Sequence, residues 1–316
     1  MRPPRGRTPS ARTVHYGEFY GVSEAVGRDD RPVLVVWGNC QAEALRIVLS
    51  SSPDLPYRTV RIPPVHELLS DDLPHVERLL DGAAVIASQP VRAGYRDLPI
   101  GTADIVDAAG PDTKTIVWPV VRHGGLFPFQ AIVRSPDRPS AVPAAVPYHD
   151  LRTILAVRDG RFAREEWDVD VTPDRIRAAA AWSVEQLSRR EEKHCDVGVS
   201  DVLLGLGDRA AHTINHPGNP VLMTLGTRLL DMLGASGPSA PDRELLGNVR
   251  APLESRVVEA LSLAASPRDR WLVDGTSLTD DEVRIAQIAW YAHHPEFIEA
   301  ALTRYAELLD ILGLAS

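Results

Sequence analysis

The stretch Val33-Leu34-Val35-Val36-Trp37-Gly38-Asn39-Cys40-Gln41 decides the fold. Its five uninterrupted apolar residues predict a strand buried on both faces, as in a parallel sheet. Gly-Asn ends the strand, and Ala42–Ser52 follows with helical spacing of Ala44, Leu45, Ile47, Val48 and Leu49. Cys40 is thereby set on a strand-to-helix turn, at the carboxyl edge of a sheet and against the positive end of a helix. A thiol in that field is expected to tend towards the thiolate, its reactive form. The competing reading is a small core cysteine.

Outward from this stretch the chain keeps alternating. Strands are expected over Tyr57–Ile62, Ala83–Ser88 and Thr115–Trp118, with helices over His75–Leu80 and Thr102–Ala109 between them. Such alternation implies an α/β fold, a mostly parallel sheet with helices on both faces. Pro136–Pro147 reads as an irregular loop. Thr172 and Pro173 open a long helix to Lys193, and another runs from Asn219-Pro220 to Gly234. Helical patterns over Leu253–Ala265, Asp280–His293 and Pro295–Leu314 give a helical C-terminal part. The expected divisions are an N-terminal extension (1–30), an α/β domain (31–235) and a helical subdomain (236–316). Roughly the first dozen residues read as disordered, and His15–Val26 as a docking segment, because Tyr16, Phe19 and Tyr20 need cover.

The chain has 316 residues, ample for a sizeable core. A formal net charge of -9 disfavours nucleic acid as the main partner. Lys114 and Lys193 are the only lysines, so the positive charge is almost all arginine. Two distant cysteines, Cys40 and Cys195, make no disulfide framework, which suits a reducing cytoplasm. No apolar stretch reaches the ~20 residues that would cross a bilayer. No GxGxxG follows the first strand, and no P-loop, GxSxG or HExxH occurs; no metal site is expected.

Three polar clusters remain. In Gly38-Asn39-Cys40-Gln41, Gly38 permits a tight turn, and Asn39, Gln41 and free helix N–H groups are candidate oxyanion donors. In Ser88-Gln89-Pro90-Val91-Arg92-Ala93-Gly94-Tyr95-Arg96, which leaves the third strand, Arg92 and Arg96 are candidates for phosphates and Tyr95 for stacking on a base. In His212-Thr213-Ile214-Asn215-His216-Pro217, a histidine beside a helix start is placed as a general base. A thiol, a histidine and a phosphate grip together are what thioester chemistry needs.

At these residues the chain resembles the WcbI-type polysaccharide biosynthesis family, acetyltransferases that bind coenzyme A. The resemblance rests on Gly38-Asn39-Cys40-Gln41, Gln89-Pro90 with Tyr95-Arg96, His212–Pro217 and the segment from Trp118-Pro119 to Phe127-Pro128. It covers about residues 32–235. It implies acyl transfer from acyl-CoA to a saccharide hydroxyl, with Cys40 and a histidine as the reacting pair. His216 is the first choice, since Asn215 and Pro217 fix its backbone; His212 is the second. Gly38, Gln89, Arg92, Tyr95 and Arg96 would hold the cofactor. The strand-edge turn also resembles that of SGNH-type hydrolases, with Cys40 where those carry serine, so an SGNH/flavodoxin-like sheet is expected and an ester or thioester hydrolase is one alternative. A non-catalytic CoA-binding or scaffold protein is another.

Overall fold

The computed structural model describes residues 10–22, 29–134, 141–162 and 167–315. They fall into two compact units. One draws on Met1–Val120, Arg190–Gly198 and Leu222–Arg243, the other on Val121–Arg189, Val199–Val221 and Glu244–Ser316.

The first unit opens with two short helices, α1 (Ala11–His15) and α2 (Gly17–Tyr20), the first capped by the Ser10 hydroxyl on the Thr13 N–H. The cap shows that order begins before the end of the expected disordered dozen; residues 1–9 lie outside the described residues, as do 23–26 of the docking segment. Phe19 is fully buried, and Tyr16 and Tyr20 pack beside it, so the aromatics find their cover. Next come β1 (Val33–Trp37), α3 (Cys40–Ser50), β2 (Arg58–Thr59), α4 (Leu73–Asp81), β3 (Ala83–Ser88), α5 (Thr102–Ala109) and β4 (Lys114–Val117). The four strands form one parallel sheet in the order β2-β1-β3-β4. All five residues of β1 are buried, as a central strand covered on both faces requires. Val33, Val35, Trp37 and Ile86 from the sheet meet Val76, Leu80 and Ile105 from the helices in one core.

The expected second strand shrinks to two residues. Pro56 precedes it and Pro63-Pro64 follow it, and proline cannot donate to a ladder. Val60 and Ile62 still enter the core.

The second unit holds three small antiparallel sheets. They are β5 (Gln130–Ala131) with β6 (His149–Asp150), β7 (Ala211–Thr213) with β8 (His216–Pro217), and a three-stranded sheet of β9 (Val249–Arg250), β10 (Arg270–Val273) and β11 (Thr276–Thr279). Helix α6 (Leu151–Arg158) follows β6 directly, with six of its eight residues buried. The C-terminal helices are Ser255–Ala260, Asp280–Tyr291, Glu296–Arg304 and Ala306–Leu312. The helix expected over Leu253–Ala265 is therefore cut to six residues, and β9, β10 and β11 lie in the stretches outside the expected helices. Asp274-Gly275, both at positive φ (47° and 83°), turns β10 into β11. Asp-Gly between two extended runs is a strong hairpin signal.

Candidate active site

The turn after β1 is built from amides. Asn39 caps α3, its Oδ1 accepting from the Gln41 N–H at 2.9 Å. Gln89, at the end of β3, reaches across with its Oε1 accepting from the Asn39 N–H at 2.9 Å. Its Nε2 donates to Gln41 Oε1 at 3.1 Å. Gln41 and Gln89 are both buried. Gly38 makes this possible: a Cβ there would lie 2.4 Å from Gln89 Oε1. Gly38, Asn39, Gln41 and Gln89 thus form one hydrogen-bonded brace, and Cys40 stands on it as the first residue of α3.

Cys40 is half-buried. The backbone N–H groups of Cys40 and Gln41 lower its pKa, as a helix start should, but burial outweighs them and the Glu67 carboxylate adds to it, pushing the thiol up to about 11. The thiolate expected from the helix field is therefore not the resting form. Glu67, in a short 3₁₀ turn after Pro63-Pro64, carries no motif that would have announced it.

The Arg92–Arg96 segment is a pinned loop on the same unit. Thr102 Oγ1 accepts from the Val91 N–H at 2.9 Å and donates to the Gln89 carbonyl at 2.7 Å. Asp104 Oδ2 accepts from the Gly94 and Gly101 N–H groups at 2.9 and 2.8 Å. Arg92 and Arg96 are exposed, and the Arg96 guanidinium donates to the His66 carbonyl. Tyr95 is half-buried against the core, so part of its ring is spent on packing.

The two histidines lie in the second unit. His212 Nε2 meets Glu244 Oε1 at 3.0 Å, and the same oxygen accepts from the Asn219 N–H. Burial lowers the His212 pKa, against the pull of Glu244. The His216 imidazole bonds the Leu246 carbonyl, while its Nδ1 is buried without a partner. Burial first, then the neighbouring His212, bring His216 down to about 4. At neutral pH it is an uncharged imidazole with a bare ring nitrogen, able to accept a proton. His216 and His212 share one turn; Cys40 belongs to the other unit.

Among the described residues no group of three or more His, Cys, Asp or Glu side chains has metal-holding geometry, and no described helix is long and apolar enough to cross a membrane. Sequence reading missed Asp104, Thr102, Glu67 and Glu244, because each acts through a hydrogen bond or field set by the fold.

No curated protein matches the chain. A solved structure of WcbI, described as a novel polysaccharide biosynthesis enzyme in a native form without a disulfide bond between coenzyme A and one of its cysteines, is similar at a TM-score of 0.74 and 18% identity, covering 90% of this chain and 99% of that one. The family model described as polysaccharide biosynthesis enzyme WcbI matches residues 33–238. The chain belongs to the WcbI family of polysaccharide biosynthesis enzymes.

Proposed function

We propose that this chain is a CoA-dependent acyltransferase that moves an acyl group, acetyl being the simplest, from acyl-CoA to a hydroxyl of a saccharide or related metabolite. One observation carries the reading: a cysteine on a rigid amide brace at the carboxyl edge of a parallel sheet, its sulfur faced by two backbone N–H groups. Those N–H groups are suited to the negative charge that develops on a thioester carbonyl oxygen. The naming of coenzyme A and a cysteine together in the WcbI structure supports the same assignment.

In this reading Arg92 and Arg96 meet the phosphates of CoA, and Asp104 and Thr102 hold their loop in shape. His216 is the general base, uncharged at neutral pH. Coenzyme A supplies the activated thioester and a good leaving group. With the Cys40 thiol at about 11, only about one molecule in ten thousand carries the thiolate at pH 7. An acyl-enzyme route therefore needs a base to remove the thiol proton before sulfur attacks. The raised thiol favours a second route, direct transfer. There Cys40 positions the thioester, the acceptor oxygen attacks the thioester carbon, the C–S bond breaks, and the proton leaves with the base while CoA departs as thiolate. Ping-pong kinetics mark the first route and a ternary complex the second. The free thiols and the acyl-CoA donor fit a cytoplasmic setting.

Acetyl-CoA turnover by wild type, Cys40→Ala and His216→Gln tests the proposal. The expected result is a loss of about a hundredfold or more in each variant, with CoA still bound. Turnover in Cys40→Ala equal to wild type would remove Cys40 from the chemistry. CoA binding without turnover by wild type would point to the scaffold reading.

A further inference from the structure

The second unit carries a groove of about 1180 Å³ that takes no part in the site above. Its lining sets three arginines against six carboxylates. Two of those arginines are already committed. Arg152, with its side chain 4% exposed, bonds Asp150 at 2.7 Å, Glu254 at 3.0 Å and Asp168 at 3.1 Å. Arg256 takes both oxygens of Asp168 at 2.7 and 2.8 Å and Glu254 at 2.6 Å. The groove is therefore left with an excess of negative charge, the wrong sign for phosphate or carboxylate ligands.

At Asp280 the groove adjoins a cavity of about 20 Å³ that Arg152, Glu254 and Asp280 also line, together with Asp150 and Gln130. Gln130, opposite Asp150 in the β5–β6 ladder, is nine-tenths buried, and its Oε1 has no partner. Buried polar atoms are normally satisfied. Here an unpaired acceptor shares a cavity with Asp150, Glu254 and Asp280, in a space that admits a single nitrogen or oxygen centre. Arginines pair with the first two, whereas Asp280 takes a hydrogen bond from Trp271 Nε1 at 2.9 Å and, among the described residues, no guanidinium. An ammonium group supplies both three donors and the missing positive charge. Burial first, then the charges of Asp150 and Glu254, outweigh the pull of Arg152 and the Trp271 hydrogen bond and push Asp280 up to about 6.

We propose that this groove binds a saccharide bearing a free amino group, its ammonium seated among Gln130, Asp150, Glu254 and Asp280 and its hydroxyls along the wider channel. The saccharide class rests on the polysaccharide chemistry of the family; the charge preference rests on the groove alone.

Calorimetric titration of the full chain with glucosamine, N-acetylglucosamine and glucuronate at neutral pH tests it. Glucosamine should bind at least about tenfold more tightly than N-acetylglucosamine, with glucuronate weakest. Asp280→Asn should cost glucosamine about tenfold or more while leaving CoA affinity unchanged, and Gln130→Met should weaken it in the same direction. The wild-type ranking needs no variant to fold. Absence of glucosamine binding, glucuronate binding as tightly as glucosamine, or an Asp280→Asn protein with undiminished glucosamine affinity would each overturn the proposal. Loss of the acyltransferase reading would show instead as a wild-type chain that does not bind CoA, with the ranking of sugars intact.

Discussion

The two units handle the polar groups around their sites differently. In the first, the buried Gln41, Ser88 and Gln89 of the Cys40 brace are neutral and bonded to one another or to backbone, and the buried Asp72 carboxylate away from it takes Arg12 at 2.9 Å. In the second, a guanidinium is held between the rings of Phe129 and Trp167, with carbon-to-centroid distances of 4.3 and 4.2 Å, and His123 and His149 are buried, His216 partly so, as neutral rings. Neutral braces hold a geometry whatever the pH, whereas buried ionisable groups tie stability to protonation. Each unit is therefore vulnerable to a different perturbation.

The largest effect should come from acid. His123, His149 and His216 are each brought from an ordinary 6.5 down to about 4, chiefly by burial. The unfolded chain binds those protons first, so stability falls as pH drops from 6.5 through 4, by on the order of 3 kcal/mol per ring. Asp280, raised from 3.8 to about 6, runs the other way and returns part of it over the same window. Hydrogen exchange between pH 6.5 and 4 should speed up around β7, β8 and α6 before β1 and β3. Uniform loosening would erase the contrast.

Next comes Arg152→Met. Removing the guanidinium leaves Asp150 without its counter-charge and Glu254 with Arg256 alone, and breaking a buried ion network typically costs about 3–5 kcal/mol. Chemical denaturation should show this loss; a change below about 1 kcal/mol would mean that the network contributes nothing.

In the first unit, Gly38→Ala should displace the Gln89 amide, and Gln89→Leu should strand the Asn39 N–H. Each is expected to cost about 1–3 kcal/mol and to weaken CoA binding, measured by calorimetry. Arg46→Gln, which removes a partly exposed pair with Glu43, should cost under about 1 kcal/mol and serves as the control.

The first unit was the more legible in sequence. An uninterrupted run such as Val33–Trp37 has one strong reading, and β3 and α5 were bounded correctly because Gln89-Pro90 and Gly110-Pro111 stop them. The second unit hid its organisation in pairings two to four residues long, whose partners are far apart in the chain, as with Gln130 and Asp150. A local hairpin signal, Asp274-Gly275, lies in the gap between two helical patterns, where the flanking extended runs are only four residues each. At the candidate site, the residue types were visible but the balance of forces on Cys40 was not. The helix start is local and could be read, whereas the burial that overrides it depends on the whole fold.

The central claim is that the Cys40 sulfur lies where the thiol end of coenzyme A arrives. Mild oxidation of the full chain with CoA and diamide, which accepts the two hydrogens as a disulfide forms, followed by peptide mass mapping, tests it most directly. The account predicts one CoA adduct, on Cys40, suppressed by added acetyl-CoA. An adduct on Cys195 instead, or none at either thiol, would contradict it.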